Sequence, residues 1–518
     1  MLLIAGTALA VRVAYGPFRF GVSVANPINA ESFVGLSALL LLVLRSAAPR
    51  AELAAGWKVP ARWDSLVVLV LLATGVAAWA WSAPFPFIAD DYWHISNALH
   101  ATPAYLAHVF IVPAVDHFFR PLGYVAYSTE AWLWGRNSMG WHFTSLAVHI
   151  ANGGLVYRLA RIRRLAPGPS AAAALLFLVS GSRPEAVAWV AAQFDLWAAM
   201  FFLLALLAFD RFVRTRQERW ELASLGALLL ALLSKESAYV FPLAAVVLLG
   251  VDRVPWKRSA RLLAPAAALT LGVFAYRWRL LGGIGGYRTA ETGLPFFYSV
   301  SPFRTAKALL LRLPAILNFP VNWTRQPEWW LAAAFVAALI ATGILACARP
   351  NRRELWFALG LLLSSAIPVH QFLLIDANLE KSRVVYLPSA GFCLLFAVVL
   401  SALDRRLAIA AASAILVFQT AALEHNLRIY GQVAALAERD CAAAAANLRA
   451  SPGPALVSDV PNYIDGVYFL HTGLRQCIEW AYGGHPDHLY LAIEPEPAPP
   501  DARRLVWDEK TRALRWLP

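Results

Sequence analysis

Long apolar runs separated by short arginine-rich loops limit most strongly how this chain can fold. About 20 apolar residues cross a bilayer as one helix, and the run from Ser65 to Ala89 contains no charged residue. Charged residues make up 15% of the chain, against about 25% in soluble domains. The pattern predicts an all-α polytopic membrane protein. About thirteen spans are predicted, at residues 1–14, 33–46, 64–84, 142–159, 168–181, 196–210, 220–234, 238–251, 261–279, 328–347, 354–369, 384–402 and 407–423.

Basic residues concentrate in every second loop and indicate how the chain is oriented. These loops contain Arg50, Arg161, Arg211, Arg253, Arg349 and Arg405, each with basic neighbours. Because short cytoplasmic loops carry the excess of Lys and Arg, we expect a cytoplasmic N-terminus and a periplasmic C-terminus in a bacterial inner membrane. The same residues account for the net charge of +13. Membrane lipids are therefore the expected surroundings, and no nucleic-acid partner is expected.

Three regions are predicted from changes in composition. Residues 1–63 form an extra N-terminal transmembrane hairpin, and residues 64–423 form the main membrane module with large outer loops at 85–141 and 280–327. Residues 302–319, within the second outer loop, have the pattern of an amphipathic interfacial helix. Short apolar stretches after residue 424 predict a small α/β domain outside the membrane.

Four cysteines divide between membrane and outer domain. Cys347 and Cys393 lie in predicted spans, where packing is the expected role. Cys441 and Cys477 both lie in the outer domain, where an oxidising compartment would permit a disulfide. The spacing in sequence leaves that pairing open, because it carries no information on geometry.

Two adjacent acids, Asp90 and Asp91, follow the charge-free run at the outer face. They could mark no more than a helix end at the water boundary. Acids at this depth are costly and are usually functional, and desolvation can raise a carboxyl pKa toward that of a general base. A divalent metal ion held by the same pair is the other possibility. His94 and His117 are predicted to lie on the same face of the membrane.

Basic residues in several outer segments could bind an anion. Arg120 precedes Pro121 at a predicted helix start, where backbone N–H groups favour negative charge. Lys235 and Glu236 interrupt two apolar runs at a tight turn, and Arg383 opens a later span. For these residues a turn marker or a snorkelling side chain is the alternative to a phosphate contact.

Two further segments carry polar residues. In the loop from Ser182 to Asp195, a short helix is predicted, and Arg183, Glu185, Gln193 and Asp195 are expected to face the outer aqueous side. His149 and Asn152 lie three residues apart in an apolar helix. Hydrogen bonding between helices is the favoured role for that pair, and ligand binding is the alternative.

Six motifs follow one another along the chain: ADDYW, HFFRPLGY, WHFTSLAVHIAN, SRPEAVAWV followed by QFDL, SKESAYVFP and RVVYLPSAGF. In this order they resemble the GT-C superfamily of polyprenyl-phosphate-sugar-dependent glycosyltransferases, in particular the branch of the protein O-mannosyltransferases and the animal transmembrane O-mannosyltransferases. The resemblance covers roughly residues 64–425. It implies a catalytic acid in the first outer loop, a lipid phosphate held by basic residues, and transfer outside the cytoplasm. The chain departs from the animal enzymes in its two extra N-terminal spans, its short α/β tail and Gln193–Phe194 before Asp195.

With this resemblance, the expected function is transfer of a sugar, mannose in the nearest branch, from a polyprenyl phosphate to a protein, glycan or lipid acceptor, with inversion. Asp90 would be the general base and Asp91 would position the acceptor or a metal. Arg120, Lys235 and Arg383 would hold the donor phosphate. Second-rank substrate contacts are His94, His117, Arg183, Glu185 and Tyr386. The alternatives are a transporter or lipid flippase with a proton relay, and a non-catalytic assembly protein.

Overall fold

The computed structural model describes residues 19–20, 22–23, 63–114, 117–287, 301–309, 313–318, 352–369, 380–450, 453–470, 472–486, 488–494 and 497–517. The described part is mostly helical. Its α-helices are α1 (Trp63–Trp79), α2 (Asp91–Leu99), α3 (Pro103–His108), α4 (Pro121–Trp134), α5 (Ser138–Ile162), α6 (Pro167–Val179), α7 (Glu185–Ala188), α8 (Gln193–Thr215), α9 (Glu218–Ser234), α10 (Phe241–Val251), α11 (Trp256–Leu281), α12 (Pro302–Lys307), α13 (Leu313–Asn318), α14 (Arg352–Ala366), α15 (Tyr386–Ser401), α16 (Arg405–Ala450) and α17 (Leu474–Tyr482). Short 3-10 helices lie at Ala80–Ser82, Val190–Ala192, Glu236–Val240, Ile367–Val369 and Ser382–Val385.

The strands are few and short. They are β1 (Arg19–Phe20), β2 (Val22–Ser23), β3 (Ala455–Ser458), β4 (Tyr463–Ile464), β5 (Val467–Tyr468), β6 (Leu489–Leu491), β7 (Arg503–Asp508) and β8 (Ala513–Trp516). Strands β1 and β2 form an antiparallel pair, as do β4 and β5. The four others form one sheet in the order β6-β3-β7-β8, in which β3 is parallel to both neighbours and β7 and β8 are antiparallel.

Among the described residues, five helical segments are long and apolar enough to cross a membrane. They are Ser65–Ser82, Val190–Thr215, Trp256–Leu281, Ser382–Ser401 and Arg405–Ala450. Shorter apolar helices lie at Pro167–Val179 and Glu236–Val251. This set supports a multi-pass membrane protein. The predicted spans 1–14, 33–46 and 328–347 lie outside the described residues, and so do most of the N-terminal hairpin and Cys347.

A buried hydrogen-bond network joins the helices at the centre of the bundle. The Tyr386 hydroxyl on α15 lies 2.8 Å from His149 Nδ1 and accepts from Asn152 Nδ2 at 3.1 Å, both on α5. The other nitrogen of His149 lies 3.1 Å from the Leu178 carbonyl oxygen of α6, and Asn152 also donates to the Leu196 carbonyl of α8. The predicted role of His149 and Asn152 in bonding helices together is therefore confirmed. These bonds satisfy both ring nitrogens of His149 and the amide nitrogen of Asn152, which would be costly to leave unpaired in an apolar interior.

Close contact between α14 and α15 depends on a glycine. A Cβ atom added at Gly391 would lie 2.4 Å from the Leu362 backbone nitrogen, and backbone at that distance cannot move aside without separating the helices. Small residues permit such approach between membrane helices.

We therefore expect Gly391→Ala to lower the free energy of unfolding by about 1–3 kcal/mol through overpacking. The matched control is Gly272→Ala on α11, where a Cβ would meet nothing within 4 Å. That change should be neutral or raise stability by up to about 1 kcal/mol, because glycine weakens a helix interior. Thermal unfolding in detergent measures both variants. Equal melting temperatures for the two would contradict the assigned contact.

The boundary predicted near residue 424 falls inside a single helix. Helix α16 is continuous from Arg405 to Ala450 and includes the predicted last span in its first half. Its sequence contains no proline and one glycine, and alanine, the best helix former, predominates near its end. The apolar character therefore changes along the helix while the backbone does not. A disulfide between Cys441 on α16 and Cys477 on α17, with Cα atoms 5.8 Å apart, ties the C-terminal sheet and helix to it.

The segment 182–195 is not exposed to water, in contrast to our prediction. Arg183, Glu185, Gln193 and Asp195 are between 1% and 7% exposed. Helix α16 covers the start of the segment, where Gln419 accepts from the Gly181 N–H and Asn426 donates to the Gly181 carbonyl. The error arose because charge in a loop suggested solvent, whereas here partners inside the protein satisfy the charges. Of the predicted helix 302–319, the described residues include the helices α12 and α13, and residues 310–312 between them lie outside the described part.

Candidate active site

The two adjacent acids occupy different environments at the start of α2. Asp91 is fully buried, and its carboxylate accepts from the Ile88 N–H at 3.1 Å and the Ala191 N–H at 2.6 Å. Burial raises the pKa of Asp91 well above its usual value, against the effect of these hydrogen bonds, and the charge of Asp90 adds to the increase. Asp90 is only partly buried. Asp91 therefore joins the Asp90 turn to the 3-10 helix at Val190–Ala192, while Asp90 is the acid left accessible.

The surroundings of the pair do not fit a divalent metal. Ligating carboxylates need oxygen lone pairs directed at the ion, yet both oxygens of Asp91 accept from backbone N–H groups. Within the described ranges, no group of three or more His, Cys, Asp or Glu side chains is arranged to hold a metal ion. The predicted metal role of Asp90 and Asp91 therefore has no structural support here.

His94 lies one turn beyond Asp90 inside an aromatic cage. Its ring contacts those of Tyr124, Tyr127 and Phe194, with centroids 5.2–5.9 Å away. Burial lowers the pKa of His94 to about 4, with the charge of Asp90 opposing the shift and that of Arg120 adding to it. His94 is therefore neutral at pH 7. His94 also lies within electrostatic range of both Asp90 and Arg120. The carboxylate of Asp90 and the guanidinium of Arg120 therefore lie in the same region.

Arg120 forms a two-point ion pair with Glu236. Its Nη2 donates to the carboxylate at 2.8 Å and its Nε at 3.1 and 3.2 Å, which leaves Nη1 outside the pair. Arg277 lies 3.9 Å from the same carboxylate. The guanidinium of Arg120 also lies 4.3 Å from the Phe118 ring centre. These contacts fix the orientation of Arg120 before any ligand binds.

Lys235 pairs with Asp195, with Nζ 2.5 Å from the carboxylate. Burial lowers the pKa of Lys235 to about 8; Asp195 opposes the shift, and the positive charges of Arg120 and Arg383 add to it. The structure thus brings together the three cations that the sequence predicted as phosphate contacts, although they are far apart in the chain.

Arg383 is held by Glu185 from α7. The Glu185 carboxylate accepts from the Arg383 side chain, from the Arg383 backbone N–H at 2.9 Å and from the Ser382 hydroxyl at 3.3 Å. The guanidinium lies 4.7 Å from the Trp189 ring centre. It also donates to the Tyr287 hydroxyl at 3.4 Å. Glu185 is therefore a partner of Arg383, and its predicted contact with substrate stays a prediction.

Three of the other residues predicted as substrate contacts lie apart from these ion pairs. Arg183 points into the bundle, donates to the Phe177 carbonyl and lies 4.5 Å from the Phe177 ring centre. Tyr386 belongs to the buried network with His149 and Asn152. Neither contacts the charged group in the part of the chain described here. His117 has a left-handed backbone (φ +73°), and its carbonyl accepts from the Gly286 N–H at 2.7 Å.

Asp195 and Glu236 belong to the site, although we did not predict them as site residues. Each is the carboxylate partner of one predicted cation. Asp195 lies in the first turn of the apolar helix α8. A charged residue at the start of an apolar helix could have indicated that Asp195 belongs to the site. Glu236 directly follows Lys235, which favoured a turn marker. Ion pairs pre-orient the three cations, of which Arg120 and Lys235 are partly buried and Arg383 is buried. Such cations can bind a phosphate, and the partly buried carboxylate of Asp90 can accept a proton.

Part of the chain is similar to known protein mannosyltransferases. Residues 121–278 match the family described as dolichyl-phosphate-mannose-protein mannosyltransferase. The protein O-mannosyl-transferases TMTC4 of Mus musculus and Homo sapiens are each 27% identical, over 361 and 360 residues. The aligned region covers 55% of this chain and 48% and 47% of those proteins. The chain thus spans about half the length of the curated relatives it matches.

Two solved structures are similar in outline. Apo ArnT from Cupriavidus metallidurans is 14% identical with a TM-score of 0.43, over 88% of this chain and 94% of that chain. An oligosaccharyltransferase from Archaeoglobus fulgidus, in complex with Zn and sulfate, is 14% identical with a TM-score of 0.46, over 83% and 62%.

The apolar helices of the bundle define a polytopic membrane protein. Part of the chain is similar to the dolichyl-phosphate-mannose-protein mannosyltransferase family and to protein O-mannosyl-transferases. The predicted resemblance is therefore confirmed.

Proposed function

We propose that this protein transfers a sugar from a polyprenyl monophosphate to a hydroxyl group of an acceptor. The observation that carries the proposal is the grouping of charges. Lys235 lies within electrostatic range of Arg120 and Arg383, and His94 lies within range of both Asp90 and Arg120. Mannose is the proposed sugar, because the matching family and the relatives are mannosyltransferases. The acceptor is a protein, a glycan or a lipid. Transfer takes place on the extracytoplasmic side of a bacterial inner membrane, with the N-terminus in the cytoplasm and the C-terminus in the periplasm.

In this reaction Asp90 is the general base. It takes the proton from the acceptor hydroxyl as the hydroxyl oxygen forms a bond to the anomeric carbon. The bond from that carbon to the phosphate oxygen breaks, and its electron pair leaves with the polyprenyl phosphate. Attack opposite the phosphate inverts the anomeric centre. General base catalysis of this kind contributes about 10²–10⁴-fold.

The three cations stabilise the charge that develops on the departing phosphate. Positively charged groups already oriented for the transition state usually supply the largest part of such stabilisation. Three ion pairs support this role, because they hold each cation in place before the sugar donor binds. The pairs are Arg120–Glu236, Lys235–Asp195 and Arg383–Glu185. The free Nη1 of Arg120 can then bind the phosphate while the pair with Glu236 stays intact.

The direct test uses purified protein in nanodiscs with radiolabelled mannosyl polyprenyl phosphate and an envelope extract as acceptor. Label should move from the lipid to the acceptor, with release of polyprenyl phosphate, and mass spectrometry of envelope glycans and glycoproteins identifies the product. Absence of transfer with mannosyl and glucosyl donors alike would contradict the proposal. Uptake driven by a proton gradient in its place would support the transporter hypothesis.

The reaction should lose efficiency at alkaline pH through Lys235. Because the pKa of Lys235 is lowered to about 8, the side chain is charged below that pH and neutral above it. We expect kcat/KM for the donor to fall about tenfold per pH unit beyond it, since kcat/KM reports ionisation of the free enzyme. Lys235→Arg, which stays charged, should remove this decline. Lys257→Arg, at an exposed residue in a predicted cytoplasmic loop, should leave it unchanged; a decline that persists in Lys235→Arg would contradict the assignment.

A further inference from the structure

The C-terminal domain contacts the turn that presents Asp90. The Phe469 carbonyl, just after β5, accepts from the Ala89 N–H at 2.6 Å. Ala89 has φ +44°, a conformation unfavourable for a non-glycine residue that persists only where its surroundings impose it. A Cβ atom added at Gly473 would lie 2.0 Å from the Ala89 carbonyl oxygen. The backbone on both sides of Ala89 is therefore fixed by residues of the C-terminal domain.

Helix α17 extends this contact. The Trp480 ring packs against Phe87 and Tyr92, with centroid distances of 5.9 and 5.3 Å. These residues flank the Asp90 turn on either side. The disulfide between Cys477 and Cys441 fastens α17 to the long helix α16. The turn is thus held by an element that is itself covalently anchored.

The hairpin of β4 and β5 reaches the cationic half of the site. Tyr468 stacks on Trp189 with ring centroids 4.6 Å apart and planes 20° apart. The Arg383 guanidinium lies 5.3 Å from the Tyr468 ring centre and 4.7 Å from that of Trp189. Tyr463 also packs against Tyr468, with ring centroids 4.4 Å apart. Tyr468 therefore helps to fix where Arg383 points.

We propose that the C-terminal domain completes the active site, with Tyr468 positioning Arg383 and Gly473 and Phe469 positioning Asp90. This inference rests on the proposed transfer reaction and assigns a working role to a part of the chain that lies outside the matched family segment, residues 121–278. Neither Tyr468 nor Gly473 touches the reacting atoms. Each acts through one residue of the site, so each should affect a different kinetic step.

Tyr468 is tested through donor affinity. Tyr468→Leu should raise KM for the polyprenyl-phosphate sugar about tenfold, because the ring contact with the cation is lost, while kcat changes little. Tyr468→Phe should restore KM, since the contacts to Trp189 and Arg383 are made by the ring. The control is Tyr490→Leu on the edge strand β6 of the same domain. An unchanged donor KM in Tyr468→Leu, or the same increase in Tyr490→Leu, would overturn the assignment.

Gly473 is tested through turnover. Gly473→Ala should lower kcat about 10²-fold by displacing the Asp90 turn by an ångström or less, with donor KM unchanged. Gly484→Ala in the same domain is the control, because a Cβ there meets nothing within 4 Å. Formation of the Cys441–Cys477 disulfide and the melting temperature show that both variants fold. Equal kcat in the two variants would refute the positioning of Asp90.

A binding measurement separates this inference from the proposed function. Undecaprenyl phosphate is titrated into the full protein in detergent, without any sugar transfer. If the wild type binds and Tyr468→Leu binds about tenfold more weakly, the positioning of Arg383 is supported even where no acceptor has been found. If the wild type binds and Tyr468→Leu binds equally well, the inference fails while the proposed function stands. No binding by the wild type would overturn both.

Discussion

Asp90→Asn is expected to lower kcat for sugar transfer by about 10²–10⁴-fold, the usual contribution of a general base. Asparagine has nearly the same shape as aspartate but cannot accept the proton of the acceptor hydroxyl. Asp90 makes no side-chain hydrogen bond at the start of α2, so the substitution removes no cap. The melting temperature and donor KM should therefore stay at their wild-type values. Radiolabel transfer under saturating donor measures the effect.

Asp91→Asn is the matched variant, because it makes the same chemical change one residue away. The two carboxylate oxygens of Asp91 accept from two backbone N–H groups. The side-chain amide of asparagine has one acceptor oxygen, and its NH2 group is a donor. One of those groups then loses its acceptor, which costs about 1–3 kcal/mol when buried. We expect a lower melting temperature and a smaller loss of kcat than for Asp90→Asn. Full transfer by both variants would show that the catalytic assignment is wrong.

The second large effect is expected at the buried pair of Glu185 and Arg383. Removing one partner of a buried ion pair leaves an uncompensated charge and costs about 3–5 kcal/mol. Glu185→Ala should do so, because Glu185 is 1% exposed and its carboxylate also accepts from the Arg383 backbone N–H. The double variant Glu185→Ala/Arg383→Met should recover much of that stability but not donor binding. Unfolding in detergent and donor titration provide the two measurements.

An exposed ion pair on the same chain supplies the control. Arg428 and Glu424 lie four residues apart on α16, with side chains 55% and 41% exposed. Such pairs contribute about 0.3–0.5 kcal/mol, so Glu424→Ala should hardly change the melting temperature. If Glu185→Ala and Glu424→Ala lower the free energy of unfolding equally, the Glu185–Arg383 pair does not stabilise the protein as we expect.

Much of the site could be predicted from residue type and order. Asp90, Arg120, Lys235 and Arg383 each stand out because a charge at the end of an apolar run is costly and therefore informative. The ion pairs could not be predicted in the same way. Lys235 and Glu236 are adjacent in sequence, yet they pair with Asp195 and Arg120. Which carboxylate reaches which cation depends on helix rotation and packing, and neither is encoded in a charge pattern.

Burial was the main source of error in the predictions. The segment 182–195 has the composition of an exposed loop, but its charges are satisfied by Arg383, Lys235 and backbone groups inside the protein. Helix α16 is continuous through the predicted boundary near residue 424, because its alanine-rich sequence favours helix on both sides of it. In both places local composition indicates the secondary structure that a segment favours, whereas tertiary contacts determine whether its side chains are buried.

The sequence by itself determined that this is a helical membrane protein with an acid and three cations on one predicted face. Hydrophobic run length, loop charge and motif order are properties of the linear chain, and the bilayer converts them directly into topology. Only the tertiary structure decided that Asp91 is a buried anchor while Asp90 remains accessible, and that Tyr468 and Gly473 of the C-terminal domain contact the site. Those distinctions depend mainly on contacts between residues far apart in the sequence, and such contacts form only when the helices pack.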